Sequence, residues 1–247
     1  TAVNRTSITG LACLLAVALT ACAGGGEPPA PSGSPASAPL EALKEPANSM
    51  SVSPPLSPAP VSAEALAAYR ALLAGEPGAL DRPPEGLELH QVTLPPAEEL
   101  EYVLLDLDGD GGAELVVQMV AQPHQFNAVF HYGDGELSCW QYDIMEMSCR
   151  DYPLGDGAMV RQYDTGTGPN RYSNLYTVFR YLPDGETEEC ASLAVHQDTQ
   201  EDGTEVFTYL VDDAEVDQDT FAAEFEELVG SRLLSLEDWT PATERPG

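Results

Sequence analysis

The chain has 247 residues, with ten Lys plus Arg against 41 Asp plus Glu and a formal net charge of −31 at pH 7. A surface that grips nucleic-acid phosphates needs clustered Lys and Arg, so that class of partner is excluded. The same charge opposes adhesion to an anionic bilayer and favours solubility, cation uptake or a basic partner.

Residues 1–21 read as a signal peptide. Arg5 supplies one positive charge, and Ile8 to Leu19 form an apolar run shorter than the about 20 residues that span a bilayer. The run ends in Leu19-Thr20-Ala21-Cys22. This ending resembles the lipobox of bacterial lipoproteins, where acyl chains such as palmitate are attached to the Cys and cleavage leaves it first. The resemblance implies lipidation at Cys22. It also implies anchoring in the cell membrane on the extracellular face of a bacterium. Two acyl chains suffice for a stable anchor.

Residues 22–60 read as the lipidated Cys followed by a disordered tether. Ala23 to Pro60 holds ten of the 21 prolines, with Gly, Ser and Ala between them, a composition that builds no core. As a flexible coil it reaches roughly 35 Å. Residues 61–240 form a single globular domain, and 241–247 a polar tail.

Val61 to Ala74 predict an amphipathic helix. Ser62 is the N-cap, Glu64 sits in the first turn, and Leu66, Tyr69, Leu72 and Leu73 make an apolar stripe. Gly75 and Pro77 end it. Leu87 to Val92 read as a short strand.

The next segment carries the chemistry. Asp106, Asp108 and Asp110 occupy positions one, three and five of a tight loop. Gly111 permits the turn at six, Gly112 offers its carbonyl at seven, and Glu114 closes the shell at nine. Alternating carboxylates on such a turn suit calcium, which takes about 6–8 oxygens at about 2.3–2.6 Å. An EF-hand needs its acid at position twelve, where this chain has Val117 between β-rich flanks. The spacing instead resembles the calcium loops of FG-GAP and VCBS-type repeats, over about twenty residues from Glu101 to Val120. The resemblance implies bound calcium held by Asp106, Asp108, Asp110, the Gly112 carbonyl and Glu114. Propellers repeat such a loop and this chain carries one, so a complete propeller is not expected. The plainer reading is an acidic Asp-Gly turn that binds nothing.

Around and after the loop, strands are predicted at Tyr102–Leu105, Glu114–Val120, Phe126–Tyr132, Glu136–Tyr142, Ala158–Tyr163, Asn174–Leu182, Thr187–His196 and Glu205–Val211. Asp-Gly turns separate several of them, which points to an antiparallel meander. Two stretches are alike: Val129-Phe-His-Tyr-Gly-Asp-Gly-Glu136 and Val178-Phe-Arg-Tyr-Leu-Pro-Asp-Gly-Glu186. They read either as a blade-like repeat or as two hairpins with common turn chemistry. Asp217 to Val229 predict a second helix, with Phe221, Phe225 and Leu228 on one face. The fold class is α+β: mainly an antiparallel β meander of about seven to nine strands, with an N-terminal and a C-terminal helix. The whole arrangement resembles uncharacterised surface lipoproteins of Gram-positive gut anaerobes, a likeness that implies no activity.

Cys139, Cys149 and Cys190 follow the signal. A Cys139–Cys149 disulfide and free thiols are both compatible with the sequence. No Cys-x-x-Cys, Gly-x-Ser-x-Gly or His-Glu-x-x-His occurs. His90, His124, His131 and His196 are scattered, and His131, inside a strand, reads as structural. The leading function is a non-enzymatic, monomeric binding module for a protein or glycan, with Tyr163, Tyr172, Tyr176 and Tyr181 as candidate contact residues. The alternative is an extracellular hydrolase or enzyme accessory subunit, which needs a cleft holding two carboxylates in opposed environments.

Overall fold

The computed structural model describes residues 59–121, 126–144, 149–168 and 170–246. Cys22, the signal peptide and nearly all of the tether lie outside the described residues.

Alternating apolar residues form two antiparallel sheets. The first contains β1 (Leu100–Leu105), β2 (Glu114–Met119), β3 (Phe126–Gly133), β4 (Glu136–Ile144) and β11 (Thr240–Pro241), in the order β11-β1-β2-β3-β4. The second contains β5 (Cys149–Pro153), β6 (Met159–Gly168), β7 (Arg171–Tyr181), β8 (Thr187–Thr199), β9 (Glu205–Val211) and β10 (Ala214–Val216), in the order β10-β9-β8-β7-β6-β5. The eight predicted strands are all present. β10 and β11 are too short to show a period of two, and β5 carries Arg150 and Asp151 where an apolar run would have marked it. The segment predicted as a strand at Leu87–Val92 is instead a 3-10 turn at Leu89–Gln91. The Glu88 N–H bonds to Gln91 Oε1 at 2.7 Å, a local partner that replaces a ladder.

The two alike stretches form hairpins with the same defect. In β3–β4 the register shifts after Val129, leaving Trp140 as the extra residue. In β7–β8 it shifts after Val178, leaving Cys190 extra, and each extra residue lies four positions beyond the Glu that closes its turn. A bulge puts two neighbours on one face. Here Trp140 and Gln141 both point toward the second sheet, while Cys139 and Tyr142 point away from it.

Four layers result. Helix α1 (Ala63–Leu73), capped by Ser62 accepting from the Ala65 N–H, lays Ala65, Tyr69, Leu72 and Leu73 on the outer face of the first sheet. The inner faces meet through Val103, Leu105, Val116 and Val129 on one side and Met159, Phe179 and Tyr181 on the other. Helix α2 (Gln218–Leu228), capped by Asp217, covers the far face of the second sheet, where Phe221 meets Tyr209 and Phe225 meets Tyr176. Phe221 has no exposed surface, and burying such a side chain contributes about 1.5–3 kcal/mol. Residues 240–246 dock on the first sheet and α1: β11 pairs with β1, Ala242 is 2 % exposed, and Arg70 Nε donates to the Pro246 carbonyl.

One polar network crosses between the sheets. The Asp151 side chain is fully buried and accepts two hydrogen bonds from Arg161, at 2.8 and 2.6 Å. It also accepts one from Gln141 of the first sheet at 2.9 Å, and Gln141 in turn accepts from the Tyr181 hydroxyl at 2.6 Å. Asn127 donates to the Asp151 carbonyl. Arg161→Met keeps the aliphatic stem and strands the carboxylate. Because water reaches half of the Arg161 side chain, the loss is expected at about 2–3 kcal/mol, below the about 3–5 kcal/mol of a fully buried pair. Urea unfolding at pH 7 measures it, and a loss under about 0.5 kcal/mol, the scale of a neutral surface change, would show that the network does not hold the sheets.

Candidate metal centre

The loop between β1 and β2 is built by its own side chains. Asp106 accepts from the Gly109 N–H at 2.7 Å and from the Gly111 N–H at 3.1 Å. Asp108 accepts from the Asp110 N–H at 3.0 Å, and Asp110 from the Gly112 N–H at 2.6 Å. Short Asp side chains favour such turns. Each bond uses one carboxylate to fix a backbone amide, and together they turn the three carboxylates toward one another. Ligand atoms of Asp106, Asp108 and Asp110 lie within 4.8 Å of each other and could hold a metal ion.

A second group shares Asp108. One ligand atom each from Asp108, Glu114 and His131 also lies within 4.8 Å of the others, and this group too could hold a metal ion. Glu114, predicted to close the calcium shell, is 1 % exposed and points toward the second sheet. Its Oε2 accepts from the Leu107 N–H at 2.7 Å, and its Oε1 is 3.0 Å from His131 Nδ1. Sequence reading assigned His131 a structural role. The signal that finds it is register: Leu115 pairs with Phe130, so one step further Glu114 meets His131.

The electrostatics of the cluster are tense. Burial raises the Glu114 carboxyl above its usual range, although the His131 and Leu107 hydrogen bonds oppose this. Burial also raises Asp108, and the charges of Asp110 and Asp106 add to it. Burial pulls His131 down, but Glu114 and the loop aspartates outweigh it and the imidazole is raised. Among the described residues Asp108 Oδ2 is buried with no hydrogen-bond partner. Such an orphan calls for an ion or a water.

Three supports fix the centre. The Tyr69 hydroxyl of α1 donates to the Ala113 carbonyl at 2.8 Å. The bulged Trp140 stacks on His131, with centroids 4.3 Å apart, and on Tyr181 at 5.2 Å. Gly157, in the β5–β6 turn with φ +84°, abuts the Asp106 carbonyl so closely that a Cβ there would collide with it. Beside it, Asp156 is gripped by Arg180 and Arg232, whose charges hold its carboxyl below the usual range despite partial burial.

The remaining candidates separate. Tyr163 and Tyr172 are 40 % and 38 % exposed, whereas Tyr176 and Tyr181 are buried in packing and cannot contact a ligand. Cys139 and Cys190 are free thiols, so no disulfide joins Cys139 to Cys149, and burial pushes Cys139 up to about 12. Ser173 Oγ lies 2.8 Å from His196 Nδ1, but Ser173 is 2 % exposed and closed to a substrate. A cleft of about 570 Å³ opens beside His131 and Trp140, and its carboxylates, Glu85, Asp134, Asp184 and Glu186, stand on exposed segments. Comparison with protein-family models, characterised proteins and solved structures gives no match to this chain.

Gly203 has the same φ of +84° as Gly157, but open space where a Cβ would go. Gly203→Ala is therefore expected to cost about 1–2 kcal/mol, the strain of the left-handed conformation alone. Gly157→Ala adds the collision with Asp106 and should cost more in the same urea titration. Equal losses would show that the β5–β6 turn does not buttress the loop.

Proposed function

We propose that this chain is a lipid-tethered extracellular module that binds one calcium ion and presents its surface to a protein or glycan partner, without chemistry of its own. The observation that carries the calcium reading is the gathering of the Asp106, Asp108 and Asp110 ligand atoms within 4.8 Å by the loop's own hydrogen bonds. Hard oxygen donors suit calcium, which accepts varied coordination, better than magnesium, which demands near-ideal octahedral geometry. The Gly112 carbonyl at position seven and water complete the shell, and Glu114 supports it from below through Leu107. The anchor reading rests on the Leu19-Thr20-Ala21-Cys22 sequence and the Pro-rich stretch after it. No helix among the described residues is long and apolar enough to cross a membrane.

Calcium gathers ligands that are dispersed in the unfolded chain, so it stabilises by mass action. With extracellular dissociation constants of about 10⁻⁴ to 10⁻³ M, millimolar calcium contributes about 0.4–1.4 kcal/mol. In a domain of this size that raises the melting temperature by roughly 1–5 °C. Melting curves with calcium and with chelator should differ for the wild type and coincide for Asp110→Ala. An equal calcium shift in both proteins places the ion elsewhere.

Metabolic labelling with a fatty acid should mark the wild-type chain expressed in a bacterium and leave Cys22→Ala unlabelled. Label that persists in the variant refutes the anchor.

A further inference from the structure

We infer that Asp108, Glu114 and His131 form a second cation site, set below the calcium loop and selective for a borderline divalent ion such as zinc. The donor chemistry separates it from the first site. Calcium takes oxygen ligands. Imidazole nitrogen suits zinc, copper, iron and nickel, so a set of one nitrogen and two carboxylates belongs to that class.

The geometry fits such an ion. Donors about 2.0–2.2 Å from a tetrahedral zinc stand about 3.3–3.6 Å apart. His131 Nδ1 and Glu114 Oε1 already stand 3.0 Å apart, and the three donors lie within 4.8 Å. Asp108 Oδ2, buried and without a partner among the described residues, is the oxygen still lacking one. The ligands are also pre-set. Glu114 is pinned by the Leu107 N–H, and His131 is clamped between Trp140, stacked on its face, and Gly133, where any Cβ would collide with Nε2. Three protein ligands leave a fourth position for water or a ligand group. The side chains are nearly closed to solvent, at 14 % exposure for His131 and 2 % for Glu114, and the cleft beside His131 and Trp140 gives the approach. The inference rests on the calcium reading only through Asp108, which both groups share.

The test is a calorimetric titration of the full chain, freed of metal with a chelator, first with zinc and separately with calcium. Tryptophan emission is followed in parallel, because Trp140 is one of only two tryptophans and stacks on His131. One equivalent of zinc is expected, with an emission change that Trp140→Phe removes. Loss of even an outer partner of a metal ligand weakens binding about 10–100-fold, so His131→Gln should weaken zinc at least about tenfold while leaving calcium within about twofold. Asp106→Asn should do the reverse. Nitrogen NMR of the histidine-labelled wild type gives a readout independent of how the variants fold: zinc should move the His131 Nδ1 resonance. Absent zinc binding, zinc affinity unchanged in His131→Gln, or an unmoved Nδ1 resonance overturns the inference, and calcium binding that still depends on Asp106 then leaves the calcium reading intact. His131-dependent zinc binding without calcium binding upholds the inference and refutes the calcium reading.

Discussion

A carboxylate with 1 % exposure, pointing from one sheet toward another, cannot stand alone. Glu114 is in that position at the start of β2, opposite Leu105. Burying an ionised carboxylate without partners costs far more than a domain of this size has to spare. Its needs organise what surrounds it. One oxygen takes the Leu107 N–H, which obliges the chain to curl immediately after β1 and begins the acidic loop. The other takes His131, which fixes the register of β3 on β2. A one-residue slip would turn His131 to the α1 side and leave Glu114 stranded. The bulge in β4 then brings Trp140 over the imidazole.

The same logic joins the two sheets. Asp151 is buried on β5 and accepts hydrogen bonds from both sheets, from Arg161 on one side and Gln141 on the other. Two apolar faces could slide over each other at little cost, since area alone is indifferent to small translations. Hydrogen bonds from Gln141 and Tyr181 are not indifferent. The sheets are therefore positioned by this polar network, by the Trp140–Tyr181 stack and by Gly157 set against the Asp106 carbonyl, with apolar filling between.

What was legible in the sequence follows from range. Strands, hairpins and both helices are written in local periodicity, Asp-Gly turns and the caps Ser62 and Asp217. The likeness of Val129–Glu136 to Val178–Glu186 was visible, and the matched bulges give it a structural meaning that composition could not. The three loop aspartates were legible because a short loop places them by spacing alone. His131 was not, because its partnership with Glu114 is set across 17 residues by pairing. Nor was the division of the tyrosines, since Tyr176 and Tyr181 sit in strands like Tyr163 and Tyr172, and what covers each face comes from elsewhere in the chain. The facing of two meanders depends on contacts such as Tyr181 to Gln141, 40 residues apart, which no local pattern encodes.

β10 closes one side of the second sheet and is only three residues long. Its turn is Asp212-Asp213, both in the left-handed conformation, and Glu215 lies at its centre. A sheet margin is a template on which a neighbouring molecule can polymerise. Here the template offers few free amides, and any identical margin approaching it brings the same carboxylates. Fibril growth along this direction is opposed by charge and by length together. At high protein density, that opposes edge-to-edge pairing of neighbouring copies.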